Sequence, residues 1–95
     1  MKTYALFSFS SSHHAIAAEA VTSGGCASAD EGLTEARLIP LPPEISAGCG
    51  LVLRVNGGGI KEAARLLAEA EIPYTGTYLL KTEKSERIVE KYDLS

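Results

Sequence analysis

The sequence predicts a single α+β domain built in the order β-α-β-β-α-β. Three observations predict it. Short runs of β-forming residues recur as "TYALFSF", "TEARLIP", "LVLRV" and "YTGTYLLK". Two stretches with apolar residues at helical spacing lie after the first and third of these runs. Gly, Pro and Asn punctuate the boundaries. A chain of 95 residues is one small domain, read here as residues 1–95.

Each element has its own warrant. "TYALFSF" alternates around β-formers. In "SSHHAIAAEAV" the period changes to that of a helix, with Ser12 as the expected cap and Ala15, Ile16, Ala18 and Val21 as apolar positions. "TSGGCASADEG", residues 22–32, is small and polar, and is expected to end that helix and continue as a flexible insertion. "TEARLIP" is the second strand, stopped by Pro40, Pro42 and Pro43. "LVLRV" is the third, and "NGGG" a turn. "IKEAARLLAEAEI" places Ile60, Ala63, Ala64 and Leu67 on one helical face. "YTGTYLLK" is the fourth strand. The tail, residues 82–95, stays open: Ile88, Val89 and Tyr92 suit a short helix as well as a charged hairpin strand. The simplest packing is a ferredoxin-like sandwich, a four-stranded antiparallel sheet in order 4-1-3-2 with both helices on one face.

Composition narrows the function. Net charge is -3, and Lys and Arg are scattered along the chain, which argues against a nucleic-acid partner. No apolar run spans a bilayer, so no membrane partner is expected. The N-terminal "MKTYALFSFSSSHHAIAAEA" has too short and too broken an apolar part for a signal peptide, so the chain is read as cytoplasmic. The two cysteines, Cys26 and Cys49, are expected to be reduced there. They are too few and too far apart for a four-ligand zinc site, so no metal and no cofactor is expected.

The predicted topology sets the "SSHH" turn beside the "AGCG" loop, at one end of the sheet. The N-terminus of the first helix points free N–H groups and a positive dipole end at that rim, an environment that favours a thiolate. A nearby imidazolium lowers a thiol pKa further from its usual value of about 8.5. The candidate site is therefore Cys49 with His13 and His14, flanked by Ser11, Ser12, Gly48 and Gly50. Adjacent helical residues point apart, so one histidine at most faces Cys49, with His13 favoured. Cys26 belongs at the opposite end. A helix of about ten residues is about 15 Å long, whereas a disulfide needs Cα atoms within about 7 Å, so no Cys26–Cys49 bond is expected. The competing reading makes Cys49 a small buried residue and its glycines plain turn formers.

"FSFSSSHHAIAAEA" followed by "ARLIPLPPEISAGCGLVLRV" resembles the putative Se/S carrier protein-like family. The resemblance rests on Ser12, His13, His14, Ala15 and Glu19, then on Ile39, Pro40, Pro42, Ile45, Ser46, Cys49 and Gly50. It implies a small bacterial domain that carries sulfur or selenium on Cys49, as a persulfide or selenosulfide. Its partners would be a donor, such as a cysteine desulfurase, and an acceptor protein. A carrier of this kind is an accessory protein rather than a stand-alone enzyme. The "TSGGCASADEG" segment is longer than the family's short Gly turn, and Cys26 has no counterpart there. The alternative is a non-catalytic ligand-binding or protein-interaction domain with a structural Cys49. Sheets of this kind pair edge to edge, so a homodimer is one of the assemblies open to it.

Overall fold

The computed structural model describes residues 2–26, 35–43, 45, 50–84 and 86–92, the side chains of 24–26 excepted. Their elements are β1 (Lys2–Ser8), α1 (Ser12–Cys26), β2 (Ala36–Pro40), β3 (Leu51–Asn56), α2 (Ile60–Glu69), β4 (Gly76–Glu83) and β5 (Glu86–Lys91). A turn of 3₁₀ helix, Gly57–Gly59, leads into α2.

The sheet is antiparallel and five-stranded, in order β2-β3-β1-β4-β5. This corrects the expected four strands in order 4-1-3-2. The difference is the tail, which forms β5 on the outer edge of β4. Glu83 pairs with Glu86 across a turn in which Lys84 takes a left-handed φ of 54°. Beyond β5 the ladder gains one more bond, from Tyr92 N–H to the Thr77 carbonyl at 2.8 Å. Pairing with β4 gives the tail a backbone ladder, whereas a short helix with so few apolar residues has no face to pack and is marginal in water.

Both helices pack on one face. Ala5, Phe7, Phe9, Leu53 and Val55 meet Ala15 and Ala18 of α1, and Ile60, Ala63 and Leu67 of α2, in the main core. Along α1 the buried positions are Ala15, Ala18 and Thr22, whereas Ile16 is 58% exposed. Thr22 belongs in the stripe because its hydroxyl donates to the Ala18 carbonyl at 2.7 Å, which satisfies the one polar atom that it buries. The helix therefore runs on to Cys26, through part of the segment expected to be a loop. Packing of α1 against β2 and β3 offsets the roughly 1 kcal/mol that each helical glycine costs relative to Ala.

α2 ends in a Schellman motif. Ile72 N–H bonds to the Leu67 carbonyl at 2.9 Å and Glu71 N–H to the Ala68 carbonyl at 3.1 Å. Glu71 is thereby held at φ 57°, where a side chain is strained. Glu71→Gly is expected to raise stability by about 1 kcal/mol, read as a higher urea midpoint at unchanged slope.

The face away from the helices has a core of its own. Leu6 and Val52 are fully buried there, with Leu80 nearly so, although neither α1 nor α2 packs on them. Their cover includes Ile45, which is 4% exposed and packs in this cluster beside Leu41 and Ile39. Ile45 N–H bonds to the Pro42 carbonyl at 3.0 Å, closing a tight turn over the sheet.

The β2 edge is closed by α1. Leu38 N–H donates to the Glu19 carboxylate at 2.9 Å, and the Ser23 hydroxyl makes a longer contact of 3.5 Å with the Ala36 carbonyl. Pro40, which shares that edge, has no N–H to offer.

Candidate functional site

The site is built where β1 ends. Ser8 pairs with Val52 of β3 and with Gly76 of β4, so the residues after β1, before β3 and before β4 gather at one end of the sheet. Leu41 N–H donates to the Gly50 carbonyl at 2.9 Å, so the chain leaves β2 and rejoins β3 at the same point. Gly50, the residue after Cys49, thus shares its end of the sheet with the start of α1. Cys49 and Gly48 lie outside the described residues, as do Ser46 and Ala47.

Ser11, rather than the expected Ser12, caps α1. Its hydroxyl accepts from His14 N–H at 3.3 Å, and its carbonyl accepts the first helical bond, from Ala15 N–H, also at 3.3 Å. Ser12 is the first helical residue and is exposed. The cap satisfies one of the free N–H groups at this end of the helix and leaves others pointing at the rim.

The two histidines differ. His13 is exposed, while His14 is half-buried and its Nδ1 is buried with no hydrogen-bond partner among the described residues. Their ring centroids are 6.3 Å apart with planes inclined by 56°, so the rings diverge from the helix start. A buried ring nitrogen without a partner is uncommon enough to need a reason.

Gly50 is exposed, and a Cβ placed on it would meet nothing within 4 Å. Its backbone is outside the left-handed region that favours glycine. Neither packing nor conformation therefore demands glycine here, and what it leaves is open space beside the start of β3.

Ser8, Thr75 and Gly76 form a neighbouring wall that the sequence reading did not assign. Ser8 is buried, and its Oγ lies 2.8 Å from Thr75 Oγ1. Thr75 N–H also donates to the Ser8 carbonyl at 2.7 Å. A Cβ on Gly76 would come within 3.1 Å of the Tyr78 hydroxyl and 3.2 Å of Ser8 Oγ, so its absence makes room for the Tyr78 ring. The "TGTY" run carried the signal, because a Gly inside a strand marks a close approach.

Residues 4–79 match the family described as Putative Se/S carrier protein-like. The chain belongs to this family. The matched span holds both the Ser/His start of α1 and the proline-rich loop with Cys49, and it ends before β5. No curated protein and no solved structure matches the chain. Among the described residues, no three His, Cys, Asp or Glu side chains gather as metal ligands, and no helix is long and apolar enough to cross a membrane.

Proposed function

We propose that the protein carries sulfur or selenium on Cys49 between a donor and an acceptor protein. The observation that carries this reading is membership of the Se/S carrier-like family over a span that includes the Cys49 loop. The end of the sheet described above supplies supporting chemistry: the α1 N-terminus, the histidine pair and the open space beside Gly50.

In the proposed transfer, the Cys49 thiolate attacks the outer sulfur of a donor persulfide. The donor S–S bond breaks, its inner sulfur leaves as a thiolate and takes up a proton, and a new S–S bond forms on Cys49. No external oxidant or reductant is consumed. With a donor selenosulfide the attack is on selenium and the balance is the same. The carried group is anionic, so the α1 N-terminus stabilises it. The unpartnered Nδ1 supports giving His14, rather than His13, the hydrogen bond to the cargo. Ser11 and Ser12 shape the helix start, and Gly48 and Gly50 let a partner approach.

The test is incubation with a cysteine desulfurase and isotopically labelled cysteine, followed by mass mapping. Label is expected on Cys49 and is expected to vanish in Cys49→Ser. If Cys49 stays unlabelled while a known acceptor is loaded in parallel, the carrier reading is wrong.

A further inference from the structure

The charges on the sheet are sorted by face. Side chains alternate along each strand, so the registers fix which residues share a face. Lys2, Arg37, Arg54, Arg87 and Lys91 all fall on the face away from the helices, five of the nine Lys and Arg in the chain. None of the strand carboxylates does: Glu83, Glu86 and Glu90 are on the helix side. Scattered in sequence, the cations are gathered by the register.

Two features mark this face as more than a solvated surface. Arg37 and Arg54 stand directly opposite each other on neighbouring strands, an arrangement that like charges disfavour. Among the described residues neither has a carboxylate partner. Arg54 lies over the Tyr4 ring at 4.5 Å, and its buried Nε has no hydrogen-bond partner among the described residues. A local conflict of this kind is expected where a partner resolves it.

We infer that the face of the sheet away from α1 and α2 docks an acidic surface of a protein partner. Arg and Tyr are the residues that anchor protein interfaces, and Arg37, Arg54, Tyr4 and Tyr78 supply them here. A nucleic acid fits less well. The chain as a whole carries a charge of -3, which repels a long polyanion but not a local acidic patch. One side of the Tyr4 ring is taken by Arg54, and Ile45 packs on the apolar strip where bases would lie. Docking rests on charge and packing alone. Its link to sulfur transfer rests on the carrier reading, because the loop that leads to Cys49 is anchored on this same face by Ile45.

The test is a nitrogen–proton NMR titration of the full chain with an oligoglutamate peptide, and separately with an oligouridylate of equal charge. The peptide is expected to shift Tyr4, Arg37, Arg54 and Lys91, and to bind about tenfold more weakly to Arg37→Glu. Arg37 is exposed, so this variant is expected to fold. Lys61→Glu, an exposed change on α2, is expected to leave binding unaltered. No shifts on this face, or an equal loss with Lys61→Glu, overturns the inference. Tighter binding of the oligouridylate overturns it in favour of a nucleic-acid surface. Cys49→Ser is expected to bind the peptide as the parent does. Docking without labelling of Cys49 would refute the carrier reading alone, and labelling from inorganic polysulfide without docking would refute this inference alone.

Discussion

Replacing Ile45 with Ala is expected to destabilise the domain by about 2–5 kcal/mol, a cost typical of a truncated core residue rather than of a loop. Ile45 is 4% exposed and packs with Leu6, Val52 and Leu80, on the face away from α1 and α2. Small domains are stable by roughly 5–15 kcal/mol, so the loss is a large part of the total. Urea unfolding measures it, and Ile45→Val should cost only about 0.5–1.5 kcal/mol if packed methyl groups are the cause. The variant is also expected to alkylate faster at Cys49 in the native state, since the loop loses its anchor four residues before the thiol. An Ile45→Ala cost below about 0.5 kcal/mol, the usual range for surface changes, would show that the residue covers nothing.

Glu19→Ala is expected to cost about 1.5–3 kcal/mol, the worth of a hydrogen bond to a charged group, and to make self-association depend on concentration. The carboxylate accepts the Leu38 N–H at 2.9 Å on the outer side of β2. Without it that edge presents an unpaired donor to any other strand. Denaturation gives the first effect and sedimentation velocity the second. Glu19→Gln keeps an acceptor and should recover part of the stability and reverse most of the added self-association. Loss of stability with no change in association would assign Glu19 to packing alone.

How much of this was legible in the sequence depends on how far each feature is local. The spacing of Ile60, Ala63 and Leu67 disclosed α2 directly, because one apolar stripe meets one core. The first four strands and the pairing of helices on one face followed from element order. Gly24 and Gly25 signal a break that makes α1 look shorter than it is, while the burial of Thr22 depends on packing that sequence does not display. β5 was ambiguous because Ile88 and Val89 are adjacent and point to opposite faces, so neither period wins. Ile45 is a single apolar residue among prolines, without any period, and its role exists only once it packs on the sheet. At the site, element order sets the α1 start and the β3 start at one end of the sheet, and there Ser8 pairs with Val52, while Cys49 lies outside the described residues. Ser8 and Thr75 were missed because they are 67 residues apart and join only through β1–β4 register.

The sorting of charge by face has one more consequence, at the outer edge of β5. Glu86, Ile88 and Glu90 face the helix side, and Arg87, Val89 and Lys91 the other. Two copies related by a two-fold axis and joined antiparallel along β5 must pair residues of the same face. Any register centred within the strand then sets Glu against Glu or cation against cation. The edge is coded against its own kind, and the strand best suited to extend this sheet is one with the opposite signs.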